Sequence, residues 1–208
     1  MSAFEMLNYV NPMSIMDSCV SWMGFNSIHT FLNLKMERNM SNNFTALFHA
    51  CGSSLMALSY LLTQNEQMYY ILKKFSTGYF IYDICHTAKY IKQPLSSMYM
   101  YHHLATTYYI HQNPKIYKTG QIMFLAELSN IPSYFVYYYL KNSKNTKKIN
   151  MLKKMQFYLY TFIRLPILSY YTYDVLKNAE NKNPGFVVLP VYFMGIMWSY
   201  SLWKKMRC

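Results

Sequence analysis

The chain has 208 residues, 53% hydrophobic and 19% aromatic, with a formal net charge of +12. That length suits one domain. The charge excludes a nucleic-acid reader by its distribution, because the lysines lie between apolar runs rather than along a face interleaved with aromatics. The mean hydropathy of -0.03 understates the apolar character, since 23 Tyr count as polar yet tolerate membrane interfaces.

The four cysteines, Cys19, Cys51, Cys85 and Cys208, have the spacing of neither a zinc site nor a disulfide scaffold. Three lie in apolar stretches and are expected as small buried thiols. The start, MSAFEMLNYV, lacks a basic leader region and carries Glu5, so insertion is expected to rely on the spans themselves.

A spanning helix needs about 20 mostly apolar residues. The first candidate, Met13 to Leu32, is weak because it carries Asp17, Asn26 and His29. Phe44 to Gln64 has His49 as its only ionisable group. Ser76 to Ile91 holds Asp83, His86 and Lys89. Leu95 to Gln112 is uncharged except for His102, His103 and His111. Thr119 to Leu140 is interrupted only by Glu127, and Met155 to Tyr173 only by Arg164. Gly185 to Trp203 is free of charge and is followed at once by Lys204, Lys205 and Arg207. Asn113-Pro114 and Asn183-Pro184-Gly185 read as turns, and Lys141 to Lys154 as the longest polar connector. The fold expectation is therefore all-α: a polytopic transmembrane helix bundle of six to seven spans. Residues 1–41 form an N-terminal segment holding the weak first span, and 42–208 the main membrane domain.

Orientation follows from the distribution of Lys and Arg. With seven spans, one side carries Lys35, Arg38, Lys89, Lys92, the six lysines from Lys141 to Lys154, Lys204, Lys205 and Arg207. The other carries only Lys73, Lys74, Lys115, Lys118, Lys177 and Lys182. The richer side, and with it the C-terminus, is expected to be cytosolic.

Four consecutive spans place an ionisable group near their centre. A lone charge there costs about 2.5–3.5 kcal/mol on insertion scales, so these groups are expected to face inward. Asp83 and His86 are three apart on one helix face, as are Glu127 and Asn130, with Ser129 and Pro132 beside them. Arg164 is expected to neutralise a carboxylate. His102 and His103 point about 100° apart, so one is expected at the pocket centre. His29, His49 and His111 read as packing or interfacial residues.

His102, His103, Asp83 and Glu127 are the candidate catalytic residues, and His86, Asn130, Ser129 and Arg164 the candidate substrate-binding ones. His86, His102, His103, Asp83 and Glu127 include metal-ligand types, but membrane di-iron oxygenases cluster many more than the 6 histidines of this chain. No metal and no resident cofactor is expected. A transporter would commonly carry an internal repeat, and none is evident.

FSTGYFIYDI (Phe75 to Ile84), YHHLAT (Tyr101 to Thr106), FLAELSNIP (Phe124 to Pro132) and FIRLP (Phe162 to Pro166) resemble, in order and spacing, the TLC-domain family of ceramide synthases and TRAM-type and CLN-type proteins. The resemblance runs from Asn42 to Trp203. Ceramide synthases pair two histidines, matched by His102 and His103, with a later His-Asp-x-x-Asp pattern. At those later positions this chain has Ala126, Glu127 and Asn130. The resemblance implies a lipid-handling protein of the non-synthase branch, in the endoplasmic reticulum or a related endomembrane. Membrane lipid is the expected partner, nucleic acid is not, and a homodimer is compatible. The alternative it implies is an N-acyltransferase moving an acyl chain from acyl-CoA to a sphingoid base. The sequence leaves open whether the protein is an enzyme.

Overall fold

The computed structural model describes residues 12–89, 94–112, 116–143, 145–178 and 182–207, with side chains from residue 18 on except at 94, 116, 117, 184 and 207. Among them there is helix and turn but no strand. The helices are α1 Pro12–Asn33, α2 Arg38–Thr63, α3 Glu66–Ala88, α4 Pro94–Gln112, α5 Ile116–Asn142, α6 (residues 146–178) and α7 Asn183–Arg207. The rod α6 is continuous but changes pitch: α-helical over Thr146–Tyr158, π-helical over Leu159–Arg164, α-helical again over Leu165–Asn178. Pro166 has no N–H, so the Phe162 carbonyl loses its α-helical donor just where the wide turns occur.

Local chemistry sets several boundaries. α2 ends at Gln64, whose φ of 56° is left-handed and whose N–H reaches the Tyr60 carbonyl. The Asn65 side chain accepts from the Gln67 N–H to start α3, and Asn145 accepts from the Lys148 N–H to start α6. The polar stretch Lys141 to Lys154 is therefore helix at both ends, through Asn142 and again from Thr146. Its sequence reads as a loop because a solvated helix end is as polar as one. Asn183-Pro184-Gly185 is likewise the first turn of α7, where a missing Pro N–H breaks no helical bond. The Asn113-Pro114 turn and residues 1–11 lie outside the described residues.

The pairwise packing closes a ring. α2 packs on α3, α3 on α4, α4 on α7, α7 on α6, α6 on α5 and α5 back on α2; α1 lies outside it, against α3 and α2. The α1–α3 contact is backbone-close. A Cβ on Gly78 would stand 2.4 Å from Ser21 Cβ and 2.7 Å from the Trp22 nitrogen. Small residues at a crossing permit this approach. Beside it an aromatic cluster interlocks: the Phe25 ring is 5.0 Å from Phe75 and 5.2 Å from Tyr79.

The outer surface is apolar. Val20, Leu34, Leu55, Leu62, Phe162, Phe186 and Tyr200 are all mostly exposed, while Ser41, Thr45, Ser53, Ser76 and Thr77 are buried inside. Two helices, over Arg38–Thr63 and Gly185–Met206, are long and apolar enough to cross a membrane. Cys19 and Cys85 are exposed and Cys51 is half-buried, so the expectation of buried thiols fails for these three. Their helix faces turn outward, and a thiol's modest apolarity does not compete with larger side chains for the interior.

Candidate functional site

The ring surrounds a half-open chamber of about 490 Å³. Every ring helix contributes to it: Ala46 from α2, Asp83 from α3, His102 from α4, Glu127 from α5, Gln156 from α6 and Trp198 from α7. Thr87, Ser201 and Lys205 carry it towards the end where α3 and α7 finish. A second, narrower cavity of about 60 Å³ continues towards the opposite end. Its walls are largely apolar, with Ile110, Met123, Leu168, Val175, Val188 and Val191 among them. Phe80, His102, Glu127, Asn130 and Arg164 border both cavities, so they stand at the junction.

His103 Nε2 lies 2.9 Å from Asp83 Oδ2, and Thr87 Oγ1 reaches the same oxygen at 3.4 Å. A carboxylate only accepts, so His103 Nε2 donates. His103 Nδ1 is then buried without a partner. The arrangement holds one imidazole by one face against a carboxylate, the geometry that fixes a histidine's orientation in acid–base sites. His102 stands next to it, ring centroids 5.3 Å apart, and its Nδ1 is also buried and unpartnered. Both histidines line the chamber, although only one had been expected at its centre. The chamber touches α4 across a wide arc, so a separation of about 100° does not exclude either.

Arg164 is 5% exposed and lies at the end of the π segment. One inserted residue turns the following helix by about 100° relative to an uninterrupted one. Its Nη1 donates to the Ala126 carbonyl at 3.2 Å, to Ser129 Oγ at 3.2 Å and to Asn130 Oδ1 at 3.1 Å. These acceptors occupy the turn of α5 just before Pro132, where Ser129 and Ser133 also bond back to the Ala126 and Asn130 carbonyls. Among the described residues Arg164 forms no ion pair. Its hydrogen bonds go to three neutral acceptors, and its charge interacts with the Glu127 carboxylate near them.

Glu127 also has beside it a residue read above as packing or interfacial. His49 is 1% exposed, its Nδ1 is 3.7 Å from Glu127 Oε2, and its ring lies flat on Tyr79 at 3.9 Å and 7°. Its position near the middle of the 26-residue α2, rather than near an end, was the available signal. The apparent start of the apolar run at Phe44 hid the true midpoint. Phe80 completes the wall with its ring 4.9 Å from His103.

Of the other proposed residues, Asn130 lines the chamber and Ser129 holds Arg164 from behind. His86 does not line it. It lies near the end of α3, 3.4 Å from Arg38 Nη2 and with its ring 5.1 Å from that of His29. A step of three residues turns His86 about 60° to one side of Asp83, away from the chamber that Thr87 lines on the other flank, and towards His29 and Arg38. Among the described residues no group of three or more His, Cys, Asp or Glu is arranged to hold a metal ion. No protein-family model, curated protein or solved structure matches the chain.

Proposed function

We propose that this chain is a seven-span membrane protein of the TLC type that handles lipid inside its helix ring, with a polar portion of the lipid in the chamber and a hydrocarbon chain in the apolar slot. Large apolar side chains cover much of its outside, while its interior mixes an aromatic and aliphatic core with buried serines, threonines, histidines and charged groups, a distribution suited to a bilayer. Arg38, Lys89, Lys141, Lys204 and Lys205 gather where α2 begins and α3, α5 and α7 end. That end is the cytosolic one on this reading, at an endoplasmic reticulum or related membrane. The observation that carries the proposal is the junction itself. Ionisable groups from several helices border two cavities of opposite character, a division that matches an amphipathic ligand.

Lipidomics of cells with and without the chain tests this, with His103→Ala as the site control. Altered lipid composition that depends on His103 is expected; identical lipids in all three backgrounds would end the reading. A glycosylation acceptor appended to the C-terminus tests the orientation, and it should remain unmodified.

A second reading is favoured by one pair of residues. The 2.9 Å contact between His103 and Asp83 supplies an oriented base beside His102, as an N-acyltransferase of the ceramide synthase type would need. Purified protein incubated with acyl-CoA and a sphingoid base should then release CoA faster than a His102→Ala/His103→Ala double variant. Equal rates would leave only lipid binding.

A further inference from the structure

Three helices gather basic side chains at the rim where α2 begins and α3 ends. Arg38 Nη2 lies 3.4 Å from His86 Nε2, and the His86 ring stands edge-on to that of His29 at 5.1 Å. The charges of Arg38 and Lys89 act on both imidazoles. A guanidinium only donates, so His86 Nε2 accepts from Arg38; Asn33 Nδ2 donates in the same way to His29 Nε2 at 2.9 Å. Each neutral ring then carries its proton on Nδ1, a further donor. Asp83, whose charge also acts on His86, is bonded to His103 in the chamber, and Glu37, beside Arg38 in sequence, lies 3.9 Å from Lys141. At the exposed rim, among the described residues, Arg38, Lys89 and Lys141 stand against Glu37, which leaves a positive surplus. Lysines alone would follow from the side of the membrane they face. Two histidines brought ring to ring beside an arginine, with His29 only 9% exposed, would not.

We propose that this corner binds the phosphate monoester head of an anionic membrane lipid, with Arg38 and Lys89 as its cations and His86 as the residue that orients Arg38. It rests on the reading that the chain spans a membrane, and is independent of what the chamber holds. A phosphate monoester carries about −1.5 to −2 charges near neutral pH and three terminal oxygens. Those match two permanent cations, one of them a planar fork, better than the single charge of a diester does. Phe31 and Leu34, both mostly exposed and within five residues of His29, give the lipid's chains an apolar surface.

Native mass spectrometry of the full chain in detergent, with equal amounts of phosphatidic acid, phosphatidylserine and phosphatidylcholine, tests it by counting the lipid retained. Phosphatidic acid should bind about tenfold or more tighter than phosphatidylcholine and about threefold tighter than phosphatidylserine. Arg38→Gln/Lys89→Gln should bring phosphatidic acid to within about twofold of phosphatidylcholine, and His86→Gln should remove part of the preference. Lys147→Gln/Lys148→Gln, which takes two exposed cations from the start of α6 on the same side, should leave it intact. A preference that survives Arg38→Gln/Lys89→Gln, or that falls equally with Lys147→Gln/Lys148→Gln, overturns the site and leaves only the general attraction of a basic face. Displacement of the lipid by an equal concentration of inorganic phosphate overturns the lipid as the source of the anion. Failure to retain any phospholipid overturns the site and the membrane-spanning reading with it.

Discussion

The α1–α3 side of the molecule and the α4–α6–α7 side are built from similar residues to opposite ends. On the first, backbones meet at Gly78 and the rings of Phe25, Phe75, Tyr79 and Tyr82 fill the space beside them. On the second, Tyr99, Tyr160 and Trp198 stand around open space instead of filling it. The rings of Tyr99 and Trp198 stack at 5.7 Å, which makes a wall. The packed side gives up volume for rigidity; the open side gives up packing for a place where polar groups can meet a ligand. Buried nitrogens without a partner occur on both sides: His102 Nδ1, His103 Nδ1 and Arg164 Nε on chamber-lining residues, Trp22 Nε1 and His49 Nε2 among the packed rings.

The largest break is expected at Gly78. Gly78→Leu puts carbon into the Ser21 and Trp22 backbone region, where nothing flexible can yield, and should cost about 1–3 kcal/mol or more. Thermal unfolding in detergent, with cysteine cross-linking between α1 and α3, measures it. Gly24, which has nothing within 4 Å of its Cβ position, is the counterpart: Gly24→Ala should be neutral or stabilising by about 0.5–1 kcal/mol.

On the open side the loss should come from polar groups. Arg164→Met leaves the Ala126 carbonyl, Ser129 Oγ and Asn130 Oδ1 without their donor and should cost about 1–3 kcal/mol, read as a lower melting temperature in detergent. An unaltered melting temperature would show that Arg164 is held for function and not for the packing.

His49→Phe lies at the border between the two regions. It keeps the flat contact on Tyr79 and removes the neighbour of Glu127. Stability should change by less than about 1.5 kcal/mol, as for a volume-conserving replacement. Lipid changes dependent on Glu127 should weaken, read by lipidomics against Glu127→Gln.

The smallest effect is at the far end of α5. There Lys118 Nζ is 2.5 Å from Asp174 Oδ2, which holds the lysine above its ordinary range. A raised lysine stabilises fully below its ordinary value and loses that contribution only as pH rises through the folded one. Asp174→Asn should therefore lower the melting temperature slightly at neutral pH, and the difference should vanish only in strong alkali.

Asp83, His102, His103, Glu127 and Arg164 could be singled out from the sequence because an ionisable group amid apolar residues is costly wherever it faces lipid. Their meeting around one chamber is a property of the ring. His49 reads as a packing or interfacial residue from the sequence because its helix extends six residues before the apolar run, through Arg38 to Asn43. His86 was included because a three-residue spacing suggests a shared face, but spacing does not say which flank of that face meets the chamber, and Thr87 takes that place.

Hydrophobic run lengths determined that the chain is helical and roughly where its rods lie, because a helix satisfies its own backbone within each segment. Which histidine meets which carboxylate was decided only by tertiary structure. Those partners come from different helices, and their distances depend on how α2, α3, α4 and α5 close into a ring. The same holds for the charge of Arg164: its cost is written locally, but the Ala126, Ser129 and Asn130 acceptors and the Glu127 charge that offset it meet it only when α5 and α6 pack together.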